Sequence, residues 1–235
     1  MVRRSHSLTF GFDMEPVNRD TFEHSFLIYQ PERIRDRIDY LSTFTLGKTM
    51  RANLFTYRDY RESWTKAFIS DPTAVLKETL PGLTAAMGPF RAVGPVAARP
   101  IDLYRSENYR RDGIVVIGDA FQSTCPATGM GMVRLLTDVE RLSAVHLPAW
   151  LESPGMSAAK ITTFYDDPVK AACDAQASHD AEYRRAVSTE TTLRWGLHRS
   201  RVQAVERVRG WHKGHLSSSR KRHGGNAANS SFAAS

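Results

Sequence analysis

The sequence predicts an α/β protein of the α+β kind: an antiparallel-rich sheet, then a strand–loop–helix unit, then C-terminal helices. Three observations carry this. Four segments of the first 57 residues are rich in Phe, Thr, Tyr, Leu and Ile and lie about a dozen residues apart, a spacing that suits antiparallel neighbours. A short, wholly apolar run, Ile114–Ile117, ends in Gly118-Asp119-Ala120. Beyond Gly131, Val133, Leu136, Val139 and Leu142 recur at helical spacing.

In chain order, Ser7–Phe12, Ser25–Tyr29, Ile38–Thr45 and Met50–Tyr57 are the expected strands, forming a curved sheet with one covered face. Asp59–Phe68 reads as a helix, and Pro72–Leu80 as a second, with Asp71 placed to cap it and Pro81 after its end. Pro95 and Pro100 interrupt the strand-like stretch Val93–Tyr104, which suits an edge or kinked strand. Asp112-Gly113 is a turn signal before Ile114–Ile117, whose β-branched character predicts a strand buried on both faces. Ala158–Val187 is helical in composition with a break at Pro168, and Thr191–Trp211 is a further helix. Gly214 onward is Ser, Gly, Asn and Ala around one basic cluster, a composition that predicts disorder. The resulting division is 1–105, a sheet with short helices; 106–150, a strand–loop–helix; 151–213, C-terminal helices; and 214–235, a basic tail.

The 235 residues carry 32 Lys and Arg against 25 Asp and Glu, for a net charge of +7. That charge is local. Residues 1–183 hold 21 basic and 23 acidic side chains, whereas residues 184–222 hold 11 and 2. The body therefore gives no electrostatic reason to expect nucleic acid. No apolar run approaches the roughly 18 residues needed to span a bilayer. The two cysteines, Cys125 and Cys173, are too few for a disulfide framework and suit a reducing cytoplasm.

The stretch richest in chemistry is Asp112–Leu142. Asp119 sits at the carboxyl end of the expected buried strand, where ligands of open α/β sheets gather. Gly118 and Ala120 keep that turn small, so a bulky ligand can approach the backbone. Pro126 stiffens the following loop, and Gly129-Met130-Gly131 opens a helix. The first helical N–H groups lack intrahelical partners and carry the positive end of the dipole, about half a charge. An acid suited to sugar-like hydroxyls beside a helix start suited to negative charge fits a polyol linked to an electron-accepting ring.

This stretch resembles the FAD-dependent aromatic hydroxylases of the p-hydroxybenzoate hydroxylase fold. The matching residues are Ile114–Ile117, Gly118, Asp119, Ala120, Pro126, Gly129, Gly131 and Asp138. The resemblance is specific over these residues and looser over 7–110, where the family has its substrate-domain sheet. It implies that Gly118, Asp119, Ala120, Pro126, Gly129, Met130 and Gly131 bind FAD. Asp119 would meet the ribityl and pyrophosphate portion, and Pro126 with Gly129–Gly131 would lie along the isoalloxazine ring. One departure is Phe121, where the family often has histidine; an apolar ring contact is expected there.

The resemblance further implies a monooxygenase-like oxidoreductase that hydroxylates a small organic substrate with NAD(P)H and O2. The family's N-terminal Rossmann βαβ unit, with its G-x-G-x-x-G phosphate loop, is absent: Gly11, Gly47, Gly82, Gly88 and Gly94 do not take that spacing. The sequence is thus expected to be the C-terminal portion of such a protein, either an N-terminally truncated product or one half of a split whose FAD-binding half lies elsewhere. Weak or no activity in isolation follows. The alternative is a non-enzymatic remnant, or an interaction protein that uses the Arg-rich C-terminal segment.

Other residues attract less chemistry. Cys125 and Cys173 are expected to pack; Ser123 is not in a nucleophile elbow. His198, His212, His215 and His223 show no metal-ligand spacing, so no metal is expected. Tyr29, Phe44, Phe55 and Tyr57 are candidate pocket-lining aromatics on the sheet. No residue is singled out as catalytic acid or base.

Overall fold

Alternation along the strands builds the first layer. In a computed structural model that describes residues 2–201, β1 (Val2–Pro16), β2 (Phe26–Tyr29), β3 (Ile38–Leu46), β4 (Thr49–Thr56) and β5 (Phe90–Tyr104) form one antiparallel sheet in the order β2-β3-β4-β1-β5. The expected tail at 214–235, its basic cluster, and residues 202–211 of the expected Thr191–Trp211 helix lie outside the described residues. The described chain divides into two units, Met1–Glu190 and Thr191–Ser235. In the second, residues 193–201 are helical.

One sheet face carries the main core. Leu8, Phe10, Phe12 and Met14 of β1 are buried beside Met50, Ala52 and Leu54 of β4 and Leu41 of β3. Three short helices cover this face: α1 (Ser63–Ser70), α2 (Pro72–Thr79) and α3 (Leu83–Met87). The Phe68 ring lies 4.5 Å from that of Phe10 and 5.5 Å from that of Phe12. Each such buried side chain contributes about 1.5–3 kcal/mol relative to exposure. Asp71 caps α2 by accepting from the Ala74 N–H at 3.0 Å, as expected. α1 starts later than expected, because Asp59–Glu62 forms a turn in which the Glu62 carboxylate accepts the Asp59 N–H. β5 is an edge strand and accommodates both prolines.

The opposite sheet face presents Thr9, Gly11 and Asp13 in register with Phe55, Asn53 and Arg51, and these with Tyr40, Ser42 and Phe44. Phe44 and Phe55 therefore share the face away from α1–α3. Tyr29 does not: it packs against the core beneath α1–α3, with its hydroxyl donated to Glu32. Tyr57 is buried and donates to Asp39 at 3.0 Å.

A second core gathers Phe121, Trp150, Ile161, Phe164 and Tyr165. It is framed by α4 (Met130–Arg141), α5 (Leu147–Leu151), α6 (Ala158–Tyr165) and α7 (Pro168–Thr189). A π-helical turn, Leu142–His146, joins α4 to α5. α7 begins at Asp167, whose Oδ1 accepts the N–H groups of Val169 and Lys170. Its Oδ2 accepts from Arg141 and sits 3.0 Å from His146 Nε2. Against a burial that pushes it up, these partners hold the Asp167 carboxyl well below the usual carboxylate range.

The segment Ile114–Ile117 is not the doubly buried strand its composition suggests. It is extended, but its one bridge joins Ile114 to Arg111. Ile114 is 58% exposed, and Val115, Val116 and Ile117 are half-buried. No strand among the described residues lies beside it to complete a ladder. Instead the Tyr165 hydroxyl satisfies Val116 twice, accepting its N–H at 2.8 Å and donating to its carbonyl at 3.1 Å.

Candidate functional site

Gly118–Ala120 forms a single 3-10 turn at the end of that extended segment. Gly118 adopts φ +56°, and its carbonyl accepts the N–H groups of Phe121 and Gln122. The turn's outer carbonyls are taken by β5 and the residues after it. Tyr104 donates its hydroxyl to the Asp119 carbonyl at 3.0 Å, and Ser106 donates to that of Ala120 at 2.7 Å. The three carbonyls of the turn are thus engaged, while the Asp119 side chain projects outward and is 72% exposed.

The loop that follows lies on the sheet face away from α1–α3. Cys125, Ala127 and Ala181 pack against Tyr40, Phe55 and Leu103. The Tyr40 hydroxyl donates to the Ala127 carbonyl at 3.1 Å. Pro126–Thr128 is a 3-10 turn, and Gly129, at φ +70°, delivers the chain into α4 with open space where a Cβ would stand. No side chain caps α4 from the Gly129 position. The helix start is less open than the sequence suggests, since the Thr128 hydroxyl accepts the Met130 N–H at 3.2 Å. Pro126 is exposed on the loop and Gly131 half-buried against Thr124.

The seven sequence-predicted residues therefore fall in two neighbouring turns: Gly118, Asp119 and Ala120 in one, Pro126, Gly129, Met130 and Gly131 in the other. An exposed carboxylate, an open left-handed glycine and a helix start without a side-chain cap at its N-cap position suit the ribityl and ring portions of a flavin. The residues present fit that group.

Phe121 is different. It is fully buried in the second core, with Lys170 Nζ 4.2 Å above its ring, so it makes no contact outward from the turn. The expectation of an apolar ring contact there is corrected by this burial. Cys125 is also buried; burial pushes its thiol up, and Ser7 Oγ lies 3.7 Å away. A raised thiol without a cationic neighbour is a packing cysteine. Ser123 ties the loop to β5, donating to the Asp102 carbonyl and accepting the Tyr104 N–H, both at 2.8 Å.

Beneath the first turn lies a cluster of charges that the helical spacing did not reveal. Asp138 Oδ2 accepts the Gly118 N–H at 2.8 Å, and its Oδ1 accepts from Lys170 Nζ at 2.8 Å. Lys170 also reaches Asp174 Oδ2 at 3.0 Å. Arg134 donates to Asp174 Oδ1 at 2.9 Å and to the Gln122 carbonyl at 2.5 Å. Its guanidinium lies 3.9 Å from Asp119 Oδ1. Arg134, Asp138 and Lys170 are all essentially inaccessible. The signal was present as two opposite-charge i, i+4 pairs, Arg134/Asp138 and Lys170/Asp174.

No protein-family model matches this sequence, and no curated protein matches it. Solved structures do. The p-nitrophenol 4-monooxygenase PnpA from Pseudomonas putida DLL-E4 aligns with a TM-score of 0.58 at 17% identity, covering 87% of this chain and 49% of its own. HpxO from Klebsiella pneumoniae, as a variant complexed with FAD, aligns at 0.52 and 13% identity, covering 84% and 50%. A variant of the flavin-dependent brominase Bmp2 aligns at 0.50 and 13% identity, covering 88% and 57%. The chain spans about half the length of these structures. Its fold is that of part of a flavin-dependent monooxygenase or halogenase, with the mixed α/β architecture and antiparallel sheet expected from the sequence.

Proposed function

We propose that this chain is the substrate-sheet and flavin-contacting part of an FAD-dependent, monooxygenase-like oxidoreductase. The observation that carries the reading is the pairing of two turns, Gly118–Ala120 tied to the end of β5 and Pro126–Gly131 beside the Tyr40–Phe55 face of the sheet. Asp119 offers an exposed carboxylate to ribityl hydroxyls, and the Gly129–Gly131 start of α4 offers positive potential to the ring's electron-rich edge. FAD, when bound, supplies the redox chemistry by which NAD(P)H and O2 hydroxylate a small organic substrate. The chain's own residues bind, orient and exclude water. Phe44, exposed on the face away from α1–α3, belongs to the substrate side of this reading, whereas Phe55 packs beneath Cys125 and Ala127. A reducing cytoplasmic setting goes with it, since both cysteines are free thiols.

The proposal extends to a partner: a dinucleotide-binding unit that supplies the phosphate loop. Its support is α4, whose Met132, Val133, Leu136 and Val139 are exposed along one side, and whose Leu135 faces Gly118 at the end of the extended segment that begins with the exposed Ile114. Apolar side chains gathered in this way mark a surface that another body covers.

Titrating the purified chain with FAD tests both parts, using flavin fluorescence and backbone amide NMR. We expect amide shifts confined to residues 118–131 with a midpoint weaker than about 10 μM, corresponding to roughly 7 kcal/mol. Absence of any shift in that stretch at millimolar FAD would overturn the flavin reading. A stoichiometric yellow protein with sub-micromolar affinity would overturn the need for a separate nucleotide-binding unit.

A further inference from the structure

We infer that α7 belongs to the cofactor-holding apparatus, with Lys170 and Asp174 acting through Arg134 and Asp138 as positioning residues for the Gly118–Asp119 turn. The inference deepens the flavin reading and rests on it.

The turn is gripped from beneath at three places. Asp138 holds the Gly118 N–H at 2.8 Å, and Arg134 holds the Gln122 carbonyl at 2.5 Å. The Gln122 side chain donates to the Asp174 carbonyl at 3.3 Å and to Ser178 Oγ at 3.0 Å on α7. Lys170 bridges Asp138 and Asp174 and caps the Phe121 ring, so one ammonium ties α4, α7 and the turn together. Two cations and two carboxylates balance, which leaves no buried charge without a counterion.

A stability role alone does not explain this arrangement. Apolar groups of matching shape replace buried ion quartets at little or no loss, because desolvation offsets most of the Coulomb gain. Apolar packing has no direction, however, and hydrogen bonds to Gly118 N–H and the Gln122 carbonyl do. They fix the backbone on both sides of Asp119. The carboxylate of Asp119 is the one acid of the group left outside the quartet, exposed and with the Arg134 guanidinium 3.9 Å behind it. The quartet therefore sets where that carboxylate points while leaving it free to bind hydroxyls. Phe121 fits the same scheme: a histidine in its place would put a titratable ring beside Lys170.

The test uses the full chain and two variants. The pair Arg134→Met with Asp174→Asn removes one cation and one anion together. Arg134→Lys keeps the charge but cannot reach both Asp174 and the Gln122 carbonyl. Amide hydrogen exchange is read at residues 118–122, with Phe10 and Leu54 as the fold control, and FAD is titrated against the amides of 129–131. Both variants are expected to leave the Phe10 and Leu54 amides protected, to speed exchange at 119–122 about tenfold, and to weaken the FAD midpoint about tenfold. Should the double variant lose the fold control, Arg134→Lys decides alone. A wild-type FAD response that either folded variant retains at the same midpoint overturns the inference, since the quartet would then be structural only. If the wild type itself shows no FAD response, the flavin reading falls first. In that case unchanged exchange at 119–122 separately overturns the grip on the turn.

Discussion

Gly118 and Gly129 both hold φ in the left-handed region, at +56° and +70°, yet a methyl group would meet different surroundings at each. At Gly118 it would lie 3.1 Å from Leu135 Cδ1, so that side chain must give way; at Gly129 nothing lies within 4 Å. The left-handed conformation alone disfavours an L-residue by about 1–2 kcal/mol. Gly129→Ala is therefore expected to lose about 1 kcal/mol and Gly118→Ala about 2, the extra arising from Leu135 and from strain on the Asp138 hydrogen bond. Urea denaturation midpoints measure this difference. Equal losses at the two sites would show that Leu135 moves freely. These glycines were legible in the sequence because their role is local backbone geometry. Arg134 and Lys170 were not: their i, i+4 acids mark a pair on a helix but not its burial, which comes from the cross-helix contacts Lys170–Asp138 and Arg134–Asp174.

At the scale of elements, α4 inverts the usual rule for an amphipathic helix. Its spacing marks a helix correctly, but Arg134 and Asp138 face inward while Val133, Leu136 and Val139 face out. Periodicity gives the presence of a stripe and not the direction it faces. The sheet was easier to read, because β1 from Leu8 to Met14 and β4 alternate against one covered face, and a period of two leaves one choice of side. Ile114–Ile117 departs from its expected burial because an apolar run announces burial without naming what buries it. The prediction is an inverted tolerance. Leu136→Gln, at a side chain 59% exposed, should change stability by less than about 0.5 kcal/mol and improve solubility. Asp138→Ala should lose about 3–5 kcal/mol by leaving Lys170 short of a partner and the Gly118 N–H without an acceptor. Thermal melts of the two proteins decide it, and a larger loss at Leu136 would refute the inverted packing.

For the molecule as a whole, the net charge of +7 says little about stability, because the excess lies in residues 184–222 and the body is nearly neutral. Acid sensitivity comes instead from one buried base. His6 of β1 is 1% exposed, its ring set against the Ala181 backbone and the Tyr57 ring. Burial, and next the Arg185 guanidinium on α7, push its pKa from the ordinary 6.5 down to about 4, with Glu182 pulling the other way. Above about pH 6.5 the ring is neutral in both states, and its effect on stability is constant. As pH falls from there toward 4, the unfolded chain takes up a proton that the fold refuses, so stability declines across that window by on the order of 3 kcal/mol. Asp167 acts lower down: its depressed carboxyl keeps its stabilising contribution above the unfolded carboxylate range and loses it only as pH falls through the folded value. The two windows separate the two groups. His6→Leu should flatten the dependence of the urea midpoint on pH between 7 and about 4.5, leaving the steeper loss at lower pH in place. An unchanged slope in that interval would mean that His6 takes its proton without resistance, and that the junction of β1 with α7 is wetter than its packing indicates.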